Sequence, residues 1–393
     1  MEKNTVHNYG LADVIEKFGA QLLKNEKLSP VQIKALDNIV SCRTPVLGWN
    51  EYACNECGAI HYRYNSCGDR HCTKCQSIKQ ALWVGKLIGA TLPVKHYHII
   101  FTVPHCINDL CLWDDRLYYK LLFRAVWKTL HSFGYTHFGC ETGAVAILHT
   151  WGQNLSLHPH IHCIVPAVGY SLDGKWKHIG KYKNFLYPVH QLSETFRGAF
   201  LDSIARALNK MGMGSAFQKQ RNKAGSINWV VFCEASLAKA EHVIRYLGQY
   251  THRVAVSNNR ILNIDAQNKV AFISKDYRDN AKKKPVKLHG VEFLRRFCLH
   301  IVPKGFVRIR RYGIYHHTFI QNQGLSFFTQ AQETAKIIAK EIESKEQQIL
   351  RITGVDIGKC PCCKTGILIL IKQQPRIRSP SGNLKQILEA KLI

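Results

Sequence analysis

Hydrophobic and polar positions along the chain change period several times, and each change marks an element. Residues 10–40 carry apolar residues at helical spacing, interrupted at "KLSP". They predict two short helices, with Pro30 in the first turn of the second. From about 94 to 312, β-branched and aromatic runs alternate with helical stretches. The runs are "VKHYHIIFTV", "GAVAILHT", "HPHIHCIVPAV", "INWVVFCEA", "RILNID" and "KVAFISKDY", separated by Gly, Asn and Pro signals. Several of them follow one another too closely for a helical crossover, so the expected fold class is α+β with mostly antiparallel pairing. Residues 326–351 predict one polar helix, followed by a small Cys-containing tail. No internal repeat is visible.

Composition narrows the class. The 393 residues are 46% hydrophobic, enough to bury a substantial core in two or three units. Lys and Arg outnumber Asp and Glu by 54 to 27, and the resulting net charge of +27 points to a polyanionic partner, nucleic acid ahead of acidic lipid. The longest apolar run, "GILILI", is far short of the roughly 20 residues of a membrane helix. The N-terminus has no apolar core to make a signal peptide, so the cytoplasm is the expected compartment. Fifteen cysteines should stay reduced there, and clustered ones are better read as metal ligands than as disulfides.

Those clusters are specific. In "CNECGAIHYRYNSCGDRHCTKC", the pairs Cys54/Cys57 and Cys72/Cys75 are separated by fourteen residues, a spacing at which two knuckles can present four thiolates to one zinc. Chance predicts roughly half of one C-x-x-C pair in this composition, and there are three. Cys42, Cys67 and His71 lie close enough to be alternative ligands or a second site. A segment so poor in apolar residues would take much of its stability from the metal. Its Tyr62, Arg63, Tyr64 and Arg70 offer stacking rings and phosphate-pairing cations.

The twenty histidines make any single H-x-H uninformative, because about one is expected by accident. Geometry is more selective. In "LHPHIHCIVP", His158, His160 and His162 share one strand face while Ile161 and Cys163 point to the other. His158 and His162 stand about 13 Å apart, too far to bind one ion together, so a further ligand should come from a neighbouring strand. If Ala144–Thr150 pairs antiparallel with His158–Pro166 through a turn near Gln153–Leu155, His149 falls opposite His160 or His162. Such an all-imidazole site suits Zn, Mn, Fe or Cu, and with open positions can also hold Mg. Downstream, "AEHVIRYLGQYTHR" places Tyr246 and Tyr250 one helical turn apart. They lie opposite the apolar stripe of Leu237, Ala240, Ile244 and Leu247, with His242 and Arg253 nearby. Two phenols in that setting can serve as nucleophiles toward a phosphodiester.

Taken in order, "YNSCGDRHCTKCQ", "FTVPH", "HPHIHCIVPAVG", "YLGQY" and "FLRRFCLHIVPKGFVRIRRYG" resemble the two-tyrosine, rolling-circle HUH transposases of the insertion-sequence 91 family, over about Cys42 to Gly313. The resemblance implies an HUH nuclease domain, an antiparallel sheet with flanking helices, spanning 90–320. N-terminal helices (1–40) and a zinc-binding module (41–85) would precede it, and a C-terminal helix with a Cys-containing tail (321–393) would follow. It implies that His160 and His162 hold a catalytic Mg²⁺ or Mn²⁺, with His149 as third ligand on the hairpin argument and a looser likeness to relaxases. Tyr246 and Tyr250 would be the nucleophiles that nick and rejoin single-stranded DNA through a 5′-phosphotyrosine. Zn²⁺ would be structural. Cys360 and Cys363 of "CPCC" resemble the family's C-terminal pair, although no second pair follows them. Arg253 and the run Arg308, Arg310 and Arg311, with Lys282 to Lys284, would track the DNA backbone.

Other classes explain less. A relaxase or replication initiator would share the same site, and a non-catalytic zinc-dependent DNA-binding protein would leave the His and Tyr placement accidental. A transposase built on three carboxylates suits a chain with so few acids poorly, and the H-x-E of zinc deaminases is absent. No G-x-x-x-x-G-K-[ST] motif is present, so strand separation must come from elsewhere.

Overall fold

A computed structural model describes residues 9–76, 92, 94–180, 185–235, 255–276, 279, 282–322, 347, 349–350 and 354–375. Helix α1 (Leu11–Asn25) buries Leu11, Val14, Ile15, Phe18 and Leu22, one stripe at i, i+3, i+4, i+7 and i+11. Helix α2 (Pro30–Ser41) starts on Pro30 behind a capping box, in which Ser29 Oγ accepts from the Gln32 amide and Gln32 Oε1 accepts from the Ser29 amide. Strands β1 (Trp49–Cys54) and β2 (Ile60–Tyr64) form a hairpin.

Beyond them come β3 (His96–Thr102), a short helix α3 (Asn108–Trp113) and the long α4 (Asp115–Phe138). Next are β4 (Cys140–Glu141), β5 (Gly143–Trp151), β6 (Leu157–Pro166), β7 (Val168–Ser171) and β8 (Trp176–His178). Helices α5 (Val189–Lys210) and α6 (Gly214–Gly225) lead to β9 (Val231–Ala235). A meander of β10 (Ile261–Ile264), β11 (Lys269–Asp276) and β12 (Lys282–His289) runs into α7 (Gly290–Cys298), and β13 (Ile309–Gly313), α8 (His317–Asn322) and β14 (Leu368–Gln373) complete the described elements. None of the described helices is long and apolar enough to cross a membrane.

The central sheet has the order β13-β5-β6-β3-β9, antiparallel throughout, giving the mixed α/β architecture with antiparallel sheets. Strict alternation divides its faces. Tyr97, Ile99 and Phe101, with Ala144, Ala146, Leu148, Ile161, Cys163 and Val165, pack against α4 and α5 in the main core. Val145, Ile147 and Ile164 point the other way, onto Ile314 and Tyr315, and the histidines of β5 and β6 share that second face.

A further core joins α1 and α2 to β10, β11, α7, Trp151 and Leu155. Residues 10–40, read as a unit of their own, therefore share a core with residues 255–301. Two short helices with one apolar stripe each cannot bury it alone, and α7 supplies the opposite wall. The approach is close: a Cβ on Gly290 would stand 2.2 Å from the Phe18 ring. The Cys-containing tail, placed after a C-terminal helix in the expected order, contains a strand: β14 pairs with β1 and extends the N-terminal hairpin to three strands. Most of the helix expected at 326–351 lies outside the described residues.

Candidate active site and cysteine centres

The β5–β6 hairpin sets the register of the histidines. Its turn, Gly152 to Ser156, is closed by the Gly152 amide donating to the Ser156 carbonyl, with Leu155 in the left-handed region at φ 63°. Side chains from residues 255–301 hold this turn: Arg260 donates to the Gln153 carbonyl, Arg296 donates to that of Asn154, and His300 bridges Thr150 Oγ1 and the Leu155 carbonyl. With the turn so fixed, His149 pairs directly with His160, and Ile147 with His162. Candidate ligand atoms of His149, His160 and His162 all lie within 4.8 Å of one another. His158 stacks obliquely on His160 but stands outside the trio.

The donor set fits a divalent ion. His160 Nδ1 lies 2.6 Å from the His158 carbonyl, to which it donates, leaving Nε2 with its lone pair. Burial pushes His160 down to about 3 and His162 well below its ordinary value, so both imidazoles are neutral near pH 7 and can ligate. His162 Nδ1 is 2.8 Å from His98 Nε2, and the two rings stack at 5.1 Å. In the tautomer that gives His162 Nε2 to an ion, Nδ1–H donates to His98. His98, in the "HYH" that chance alone explains, is the residue sequence reasoning missed here. Trp151 stacks on His149 at 5.0 Å and closes the other side.

The cysteines assemble differently from the single Cys54/Cys57/Cys72/Cys75 centre that the spacing suggested. Cys42, Cys67, Cys72 and Cys75 form one cluster, and Cys54, Cys57, Cys360 and Cys363 form another. The reason is the β1–β2 hairpin: Cys54 and Cys57 sit at its tip, whereas Cys42 and Cys67 flank its base, and six residues of strand put about 17 Å between the ends. In the first cluster Cys75 Sγ lies 3.5 Å from Cys42 Sγ and 3.6 Å from Cys67 Sγ, near the about 3.8 Å separation that tetrahedral Zn–S bonds impose. Amides of Cys67, Gly68 and Asp69 donate to these sulfurs, as knuckle turns do. His71 belongs to neither cluster. Its side chain is buried beside Arg70 and Arg308, and desolvation together with those charges holds it well below its ordinary value. His61, which approaches Cys360 Sγ at 3.4 Å, is a neighbour the sequence did not single out.

The basic run divides between interior and surface. Arg308 is 8% exposed, with its guanidinium over the Trp151 ring, and burial lowers it to about 10. It is therefore interior and does not track a backbone on the surface, as its place in the run had suggested. Arg310 lies 4.2 Å over Phe123, Arg311 is exposed, and both line a groove of about 830 Å³ with Arg116, Lys120, His316 and His317. None of the described residues lining that groove is acidic, and it follows β13, the edge strand of the described sheet. Of the other run, Lys284 is engaged by Asp276 and Asp279 at 3.1 and 3.0 Å. Tyr246, Tyr250 and Arg253 lie outside the described residues.

A zinc-binding cysteine module beside a sheet that carries a histidine trio and a basic groove defines a DNA-processing protein. Comparison with known proteins makes this specific. Residues 14–103 match the family described as "Transposase zinc-binding domain", of the insertion-sequence 91 type, and residues 143–323 match "Putative transposase". The chain is 36% identical over 385 residues to "Putative transposase y4qJ" of Sinorhizobium fredii, covering 92% of this chain and 94% of that protein. It is 25% identical over 300 residues to "Transposase for insertion sequence element IS801" of Pseudomonas savastanoi pv. phaseolicola, covering 75% and 72%. The chain belongs to the insertion-sequence 91 family of transposases. No solved structure matches it significantly.

Proposed function

We propose that this transposase acts on single-stranded DNA by HUH chemistry, nicking and rejoining it in rolling-circle-type transposition. The observation that carries the reading is the convergence of His149, His160 and His162 on the second face of a rigid antiparallel sheet. A divalent ion held there, Mg²⁺ or Mn²⁺, would polarise a non-bridging oxygen of the scissile phosphate. The phenol oxygen of Tyr246 or Tyr250 attacks phosphorus, the bond to the leaving 3′ oxygen breaks, and that oxygen departs as a 3′ hydroxyl. The bond energy stays in the 5′-phosphotyrosine, so rejoining needs no nucleotide cofactor. Two tyrosines allow two DNA ends to be held at once.

The test is direct. Incubated with single-stranded DNA of the element ends and Mg²⁺ or Mn²⁺, the protein should form a covalent adduct that survives denaturing electrophoresis. Changing Tyr246 and Tyr250 together to Phe removes two hydroxyls and keeps both rings, so the adduct should vanish while DNA affinity stays. An adduct that persists in the double Phe variant rules these residues out as the nucleophiles.

The groove along β13 is the proposed path of the strand. Its cations would neutralise phosphates along the strand. Arg310→Ala and Arg311→Ala should each weaken binding about equally for unrelated single-stranded sequences. Each should also lower the slope of log affinity against log salt by about 1, as loss of one phosphate contact does. Unchanged salt slopes in both variants would place the strand elsewhere.

A further inference from the structure

The geometry points to a second zinc site, made by Cys54 and Cys57 from the N-terminal module and Cys360 and Cys363 from the far end of the chain, that clasps the two together. Cys54 Sγ lies 3.6 Å from Cys363 Sγ and Cys57 Sγ 3.8 Å from Cys360 Sγ, and all four sulfurs fall within 4.8 Å of one another. These separations are much too long for disulfides and match the about 3.8 Å edge of a tetrahedral zinc–thiolate centre. Each half is a knuckle. The Glu56 and Cys57 amides donate to Cys54 Sγ, and the Gly366 amide donates to Cys363 Sγ.

The two halves are built to meet. A Cβ on Gly366 would stand 2.3 Å from Cys54 Sγ, so only glycine lets the C-terminal knuckle close on the N-terminal one. The Ile367 amide donates to Asn55 Oδ1 at 2.8 Å and the Asn55 amide to the Ile367 carbonyl at 3.1 Å, which fixes the register in which β14 continues onto β1. His61, across β1 on β2, approaches Cys360 Sγ at 3.4 Å, where an Nε2–H would stabilise a thiolate.

Otherwise the tail is held by the β1–β14 ladder and by exposed polar contacts, such as Thr365 with Glu56, rather than by an apolar core. Ile367, Ile369, Leu370 and Ile371 are each about half exposed, so β14 brings no core of its own to offset the ordering of its backbone. Cys57 and Cys360 are 303 positions apart, and closing so long a loop is entropically unfavourable. A metal bound by both ends supplies what the exposed strand lacks. The family match to the zinc-binding domain ends at residue 103, so half of this centre lies outside it.

Metal content of the full-length protein tests the clasp without reference to DNA chemistry. Wild type should carry two zinc ions per chain by elemental analysis. Cys360→Ser with Cys363→Ser should carry one, and so should Cys54→Ser with Cys57→Ser. The variant with all four changes should also carry one, because the four thiols serve a single ion. In the Cys360/Cys363 variant the segment from about 354 to 375 should become rapidly cleaved by limited proteolysis, while the rest of the chain keeps its wild-type fragment pattern. Because that variant alters only the tail, it remains informative even if the Cys54/Cys57 variant fails to fold. One zinc in wild type, or two zincs retained after loss of Cys360 and Cys363, overturns the proposal.

Discussion

Changing His160 and His162 together to Ala is expected to abolish cleavage of single-stranded DNA, by on the order of a thousandfold or more, while leaving DNA affinity nearly intact. The magnitude follows from the several kcal/mol of charge stabilisation that a bound ion contributes at a phosphate, at 1.36 kcal/mol per tenfold. Affinity survives because it comes from many phosphate contacts spread along the strand, remote from this pair. The fold should also survive, since both side chains lie on the second face of the sheet while Ile161 and Cys163 keep their places in the main core. His98 gives a graded companion. Its Nε2 lies 2.8 Å from His162 Nδ1 and accepts from it in the tautomer that ligates through Nε2, so His98→Ala removes the partner that orients a ligand and should weaken Mn²⁺ binding by about 10- to 100-fold. His98→Gln, whose side-chain carbonyl can accept the same hydrogen bond, should restore part of it. Calorimetric titration with Mn²⁺ reads both effects directly. Full cleavage by the His160/His162 variant, or unchanged Mn²⁺ affinity in both, would show that the trio is structural.

How much of this could be read from the chain depends on how local each relation is. The shared face of His160 and His162 follows from the two-residue period of a strand. The pairing of His149 with His160 follows from a short turn between two adjacent runs. Both are legible because they need only the residues from 144 to 166. His98 is different. It joins the site only because β3 pairs with β6 at a register placing Ile100 opposite His162, a relation across more than sixty residues that no local period encodes. The cysteines show the same limit more sharply. Spacing identified the knuckles, but the partner of the Cys54/Cys57 knuckle is decided by a β1–β14 pairing across about three hundred residues, and that of Cys72/Cys75 by the base of the β1–β2 hairpin. Arg308 was misplaced because a run of basic residues says nothing about which of them the tertiary fold buries. Arg308, just before β13 begins, is turned inward, while Arg310 and Arg311 within the strand lie along the groove.

The cluster of Cys42, Cys67, Cys72 and Cys75 should carry a larger share of stability than any other small group of side chains. Cys42 and Cys72 are fully buried, and with Cys75 they belong to the same core as α1, α2, α7 and the end of β5. That core also contains Leu155 of the turn that sets the register of the His149 strand. An ion bound here supplies an apparent binding free energy of about 10–16 kcal/mol, comparable to the about 5–15 kcal/mol of an entire domain. Cys72→Ser should therefore lose this ion and lower the melting temperature by more than about 10 °C, and a strong chelator should do the same to wild type. The consequence should reach the histidines: with the core around Leu155 loosened, the hairpin loses its register, and Mn²⁺ affinity at His149, His160 and His162 should fall with stability. Calorimetric melting with and without chelator measures the first effect, and Mn²⁺ titration of Cys72→Ser at a temperature where it remains folded measures the second. A variant that melts within about 2 °C of wild type would show that these four thiols are no more than buried cysteines.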